Sequence, residues 1–349
     1  MNRPPPQRHG ILAGGNWIVD HVKMIDAWPP QDALVTISAE LHGNGGAPYN
    51  LLKDLAKLGA AFPLEAVGLI GDDELGRWVR SDCARHGILT HQLRTIAGAA
   101  TSYTDVMTVS ETGRRTFFHH RGVNAILAPE QFDFTLTRAK VFHLGYLLLL
   151  DALDANGTGG QPRSSEVLQA AHQAGLVTSV DLVSETADRF AQVVLPVLPH
   201  VDYLFVNEYE ASHVTGVTVR QSSHINPQAI EEAARALVNS GVRQWVVIHF
   251  PEGAFACSHD GTELWQQSLR IPAEQIKGAA GAGDAFAAGV LWGVHEDWSM
   301  QQGLLLGAAT AAASLLHPTC SEGIRPVAEC LLLASSAGFL PLPSKTDGR

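Results

Sequence analysis

The chain of 349 residues reads as an α/β protein: a three-layer α/β/α domain with a mainly parallel central sheet, accompanied by a small separate β-sheet. Three observations point there. From residue 139 onward, short apolar strands alternate with amphipathic helices, and strand–helix–strand alternation gives a parallel sheet covered by helices on both faces. Two stretches, 22–41 and 100–124, are rich in β-formers and show no helix period, so they interrupt the alternation as extra strands. Polar residues recur where strands end, at Asn16, Asp181 and Asn207, the edge at which open α/β sheets bind ligands.

Taken in order, MNRPPPQRHG is Pro-rich and has no apolar h-region, which predicts a disordered tail over 1–10 rather than a signal peptide. The main domain is expected over 11–335, with lid strands inserted at about 17–42 and 93–123, and a C-terminal tail over 336–349. Ile11–Gly15 is a short buried strand, and Asn16 and Asp20 follow at its ligand-facing end. Gly43 to Asn50 is a Gly-rich helix entrance with Pro48 in the first turn, and Leu51–Gly59 an amphipathic helix closed by a glycine. Gly45 and Gly46 let a flat ligand ring approach the backbone, and the Asn50 amide can hydrogen-bond two adjacent hydroxyls. Ala66–Gly76 is strand, then turn, then helix, with Asp72 and Asp73 as a capping cluster. Ser110–Gly113 is a hairpin turn between alternating runs. Later strands fall at 141–146, 176–181, 201–207 and 244–249, with helices at 164–175 and 230–241.

A formal charge of -11 argues against a nucleic-acid groove or an anionic membrane surface. The four cysteines form no C-x-x-C pair, and no H-E-x-x-H stands among the 16 histidines. The longest apolar runs, such as Leu304–Leu316, fall short of a membrane span. A soluble, cytoplasmic protein with no nucleic-acid or membrane partner is expected.

Two segments carry chemistry. In Gly278-Ala279-Ala280-Gly281-Ala282-Gly283-Asp284, small residues lead into a helix whose first amides lack intrahelical partners, a place that binds anions. A carboxylate there would repel a phosphate, but it suits the removal of a proton from a hydroxyl about to attack a phosphoryl group. The plain alternative is a tightly packed helix start with Asp284 as a cap. Asn207-Glu208-Tyr209-Glu210 puts an amide and two carboxylates at one strand end, oxygen donors suited to Mg²⁺ held through water, or equally an acidic first helical turn.

Gly45-Gly46-x-x-x-Asn50, Asn207-x-x-Glu210 and Gly281-Ala282-Gly283-Asp284, in that order and with a strand-rich insert, resemble the ribokinase-like (phosphofructokinase-B) family of carbohydrate and nucleoside kinases. The resemblance runs from about residue 11 to about residue 323. It implies a sugar kinase that uses ATP and Mg²⁺. Asp284 would be the general base, and the amides of Gly281, Ala282 and Gly283 the anion hole. Asn207 and Glu210 would organise Mg²⁺ and phosphate. Asn16, Asp20, Gly45, Gly46 and Asn50 would bind the sugar, with Arg121 reaching an acidic or polyhydroxylated substrate from the lid. Gly253 would form the turn before the nucleotide pocket. A homodimer through the lid is a candidate assembly.

Gly278, Ala279 and Ala280 stand where the family usually carries Asp-Thr-Thr, which leaves no expectation of a monovalent-cation requirement. Phe250-Pro251 replaces a usual glycine beside the base pocket. Two other readings stay open: a nucleoside kinase, with Trp17 or lid aromatics stacking a base, and a non-catalytic sugar or nucleotide sensor of the same fold.

Overall fold

Nine strands lie side by side in the order β15-β14-β13-β10-β9-β8-β1-β4-β5, and a second sheet of four has the order β3-β2-β6-β7. The computed structural model describes residues 8–186, 189–222 and 224–343. In chain order the elements are β1 (Ile11–Gly15), β2 (Ile18–Ile25), β3 (Ile37–Gly45), α1 (Ala47–Leu58), β4 (Leu64–Gly71), α2 (Glu74–Arg85), β5 (Leu89–Ile96), β6 (Ser102–Val109), β7 (Arg115–His120) and β8 (Val141–Leu147). There follow α3 (Asp151–Asp154), α4 (Ser164–Gln173), β9 (Val177–Leu182), α5 (Phe190–Val194), β10 (Tyr203–Asn207), α6 (Glu208–Thr215), the two-residue strands β11 (Arg220–Gln221) and β12 (His224–Ile225), and α7 (Pro227–Asn239). The last are β13 (Trp245–Phe250), β14 (Gly253–Ser258), β15 (Glu263–Gln267), α8 (Ala282–His295), α9 (Met300–Ser314) and α10 (Val327–Ala337).

The large sheet is parallel from β13 through to β5, and at its edge β14 pairs antiparallel with β13 and β15 antiparallel with β14. A parallel strand buried on both faces needs an unbroken apolar run, and all of Leu64–Gly71 is buried. Neighbouring residues serve opposite faces: Leu12 and Phe142 pack into one core layer, Ile11, Ala13 and Val141 into the other. The second layer is closed by α8 and α9, which cross so closely that a Cβ on Gly289 would lie 2.6 Å from the Gly307 nitrogen. A helix apolar on every side, as α8 is, belongs inside the molecule.

In the small sheet β2 pairs parallel with β6, while β3 and β7 are antiparallel edges. Its registers align Asp20 with Thr104 and Thr104 with His119, one row across three strands. The chain crosses between the two sheets four times, and a glycine with positive φ marks each crossing: Gly15 at 128°, Gly46 at 83°, Gly98 at 69° and Gly122 at 50°.

Three boundaries differ from the sequence expectation. Residues 93–96 lie not in the small sheet but in β5, because Leu93 is buried in the main core. Residues 8–10 are held in place, the His9 amide donating to the Arg138 carbonyl at 2.8 Å; residues 1–7 of the expected tail lie outside the described residues. Beyond α10, Phe339 bridges to Leu269 and the Leu340 amide donates to Ser268 at 2.8 Å, so residues 338–343 dress the sheet edge; 344–349 lie outside the described residues.

Candidate active site

Gly281 caps α8 at φ 72°, a left-handed conformation that a side chain disfavours, and a Cβ there would also sit 2.6 Å from that of Cys320. A glycine is thus required twice over at this point. The amides that follow have no intrahelical acceptor by position, and they face the junction of two cavities. One, of about 430 Å³, lies under the small sheet and is lined by Asp20, Gly46, Asn50, Tyr146, Asp181 and Asp284. The other, of about 640 Å³, lies toward β13–β15 and is mostly apolar, walled by Phe250, Pro251, Gly253, Leu269, Ile276 and Leu340. Both are lined by Asn207, His249, Ala279, Ala282 and Gly283.

Asp284 stands in the first turn of α8 and is only 4% exposed. Its Oδ2 accepts from Asn50 Nδ2 at 2.7 Å and from the Tyr146 hydroxyl at 2.8 Å. Burial, with the charge of Asp181 adding to it, pushes its pKa up to about 7, against the lowering effect of those two hydrogen bonds. A carboxylate tuned to neutrality suits a general base. Asn50 is fixed in turn, its Oδ1 accepting from Asn44 Nδ2 at 2.7 Å, and Asn44 also donates to Ser321 at 2.7 Å.

Asp20, from β2, is buried beside Asp284, and its pKa too is raised to about 7, chiefly by burial. The Cys320 thiol donates to its Oδ2 at 3.6 Å. The missing side chain of Gly45 makes room for it, since a Cβ there would stand 2.3 Å from Asp20 Oδ1. Gly45 therefore shapes the cavity from behind, whereas Gly46 lines it.

Asn207 and Glu210 form a reciprocal cap on α6. Asn207 Oδ1 accepts the Glu210 amide, and Glu210 Oε2 accepts the Asn207 amide, both at 2.9 Å. Glu210 Oε1 accepts from Ser184 at 2.8 Å and from Asn207 Nδ2 at 2.9 Å. Burial raises the Glu210 pKa to about 7. With both carboxylate oxygens engaged, and no cluster of three or more His, Cys, Asp or Glu suited to a metal among the described residues, the set fits a hydrated Mg²⁺ arriving on nucleotide phosphates rather than a closed protein cage.

Three expectations are corrected. Asn16 is fully buried and does not line the cavity: its Nδ2 donates to the Leu149 carbonyl at 3.1 Å and its Oδ1 accepts the Tyr146 amide at 2.6 Å. It ties β1 to the chain after β8. Arg121 points away, paired with Asp151 at 2.8 Å, and does not line the cavity either. Trp17 is a core residue, stacked on Tyr49 and donating to the Val67 carbonyl at 3.0 Å, so it cannot stack a base.

Sequence reading missed Tyr146, Thr104, Arg115, Phe117, His119 and Cys320, all of which line the acceptor-side cavity. Period-two alternation along β7 places Arg115, Phe117 and His119 on one face, a signal present in the sequence once that face is known. His119 reaches Thr104 at 3.0 Å, and His120 turns the other way to stack on Tyr103.

The model of the pfkB family of carbohydrate kinases matches residues 15–326. A probable fructokinase-6, chloroplastic, of Arabidopsis thaliana is 26% identical over 84% of the chain and 72% of its own length. A 5-dehydro-2-deoxygluconokinase of Clostridium perfringens is 24% identical over 81% of each. The structure of Arabidopsis thaliana ribokinase complexed with ribose and ATP superposes with a TM-score of 0.75 at 20% identity, over 94% of this chain and 99% of that one, which shows a common fold.

Proposed function

The chain belongs to the pfkB family of carbohydrate kinases, and on that footing we propose an ATP-dependent sugar kinase that transfers the γ-phosphate to a hydroxyl of a small carbohydrate. The observation that carries this reading is the meeting of two cavities at the N-terminus of α8, with a buried carboxylate on one side of the junction. ATP lies in the apolar cavity with its phosphates toward Gly281, Ala282 and Gly283. The sugar lies under the small sheet against Asp20, Gly46 and Asn50.

Asn50 and Tyr146 bond to Oδ2 of Asp284, and the Asp181 carboxyl stands beside the same group at the acceptor side. Asp284 takes the hydroxyl proton as that oxygen forms its bond to the γ-phosphorus, and the bond from that phosphorus to the β–γ bridging oxygen breaks, releasing ADP. The amides at the start of α8 hold the equatorial oxygens as negative charge spreads over them. Mg²⁺, when bound near Asn207 and Glu210, supplies neutralising charge to the phosphates. Closure of the small sheet excludes water, whose hydroxyl would otherwise compete as the acceptor.

Trp17 in the core removes one support of the nucleoside-kinase reading, while the lid aromatic Phe117 lines the cavity and keeps the other, so nucleosides stay in the test. The sensor reading has against it an intact base held by two donors. The deciding experiment is ADP release from Mg-ATP against pentoses, hexoses, sugar acids and nucleosides, each with and without potassium. Turnover of one sugar is expected, and the potassium comparison decides the cation requirement, since Gly278 offers no side-chain ligand. Silence across the panel, with thermal stabilisation by one member, overturns the kinase in favour of the sensor.

A further inference from the structure

Of the residues that line both cavities, Asn207 and His249 bring polar side chains, whereas Ala279, Ala282 and Gly283 do not. The Asn207 amide is committed, its Nδ2 donating to Ser184 at 2.8 Å and to Glu210 at 2.9 Å, and its Oδ1 accepting the Glu210 amide. His249 is not, for among the described residues its ring nitrogens make no hydrogen bond. It stands near the C-terminal end of β13, in register with Asn207 of β10, at the edge where an open parallel sheet receives ligands. Its ring is half-buried and lies against the first turn of α8, where a Cβ on Gly283 would be 3.1 Å from Cε1 and 3.3 Å from Nε2. Phe286, on the same helix, packs on it with the ring centroids 5.8 Å apart.

The residues on either side fix which end of the reaction His249 faces. Phe250, Pro251 and Gly253 come next in the chain and wall the nucleotide cavity, whereas Asp284, next to Gly283, lines the acceptor cavity. In an in-line transfer the bond that breaks lies on the nucleotide side of the γ-phosphorus. Negative charge grows there on the β–γ bridging oxygen and the β-phosphate, and a donor already in position stabilises that charge. An imidazole carries at least one N–H, whether neutral or protonated.

Resting on the kinase reading above, we infer that His249 is a catalytic residue that donates a ring N–H to the β-phosphate of ATP beside the β–γ bridging oxygen. It holds the leaving ADP as the bond to the γ-phosphorus breaks. The hydroxyl proton goes to Asp284, the electrons of the broken bond go to the bridging oxygen, and His249 keeps its own proton.

The test uses the full chain and reads binding apart from turnover. By calorimetry, wild type should bind ADP more tightly than AMP. His249→Leu should cut that preference about 10-fold, the scale of one lost hydrogen bond to a charged group, with the Kd for AMP within about 2-fold. His249→Gln, which keeps an N–H donor, should hold the preference within about 3-fold of wild type. With an acceptor found in the panel above, kcat should fall about 100-fold in His249→Leu and regain about 10-fold in His249→Gln, with the KM for that acceptor within about 2-fold. A preference for ADP that survives in His249→Leu overturns the inference. So does AMP weakened as much as ADP, or a His249→Gln no better than His249→Leu, since the ring would then be only a wall. If the ADP pattern holds while every acceptor is silent, the phosphate contact stands and the kinase reading alone falls. A wild type that binds neither nucleotide overturns both.

Discussion

The phenol of Tyr146 donates to Oδ2 of Asp284 at 2.8 Å, from a strand 138 residues earlier in the chain. Asn50 donates to the same oxygen from α1. Two elements thus hold one oxygen of the carboxylate, and each bond also favours the ionised form against the pull of burial.

Removing the phenol should therefore weaken the base in a defined direction. In Tyr146→Phe the pKa of Asp284 should rise, and the acid limb of the kcat/KM profile should move to higher pH by roughly half to one unit. A pH–rate series checks this. An unmoved limb with uniformly lower activity would mean that Tyr146 only packs.

Asp284→Asn keeps size and shape but cannot accept a proton. Its kcat should fall by about 10²- to 10⁴-fold, with the Kd for ATP within about 2-fold of wild type by calorimetry. Equal losses in both would assign Asp284 to the architecture of the helix start.

The same substitution has a pH signature in stability. Asp284 titrates near 7 folded against 3.8 unfolded, so between those values the folded state binds the extra proton. Stability from this group is complete below about pH 4 and declines as pH rises through 7. Asp284→Asn escapes the decline, so its Tm relative to wild type should be higher at pH 8 than at pH 5. Differential scanning calorimetry at the two pH values decides; a constant difference would show that Asp284 is not raised.

Asn16 should behave as a fold residue. Asn16→Ala leaves the Tyr146 amide and the Leu149 carbonyl without their partners, at about 1–3 kcal/mol, read as a lower midpoint in urea with unchanged slope. A higher KM for the sugar with unchanged stability would return Asn16 to the substrate site.

The glycine-led start of α8 and the reciprocal cap on α6 were legible because their determinants are local. Gly281 to Asp284 is one turn of chain, and Asn207 with Glu210 is a cap that closes on itself. The alternation of strand and helix likewise reports burial on both faces of the sheet, which each segment carries in its own residues. What was not legible depends on register and distance. The amide of Asn16 meets groups 130 and 133 residues away, so its partners leave no trace beside it. Arg121 and Arg115 lie six apart, and what separates them is that Arg121 has left β7 for a helical turn and pairs with Asp151, 30 residues on. Trp17, two residues from a glycine strand end, looked free to stack a ligand until Tyr49 closed over it.

The four glycines at which the chain passes between the sheets also divide the labour of the protein. Asp20, Thr104, Arg115, Phe117 and His119 all sit on the outer side of those crossings; Asn50, Asp284 and the whole nucleotide cavity sit on the inner side. The small-sheet wall of the cavity is therefore encoded in two short stretches of sequence, 16–45 and 99–121, bounded by glycines, while Gly46, Asn50, Tyr146, Asp181 and Asp284 line it from the main sheet side. Such a chain is built as a cassette. Substitution within the two stretches revises one wall of the cavity while leaving Asp284 and the start of α8 in place.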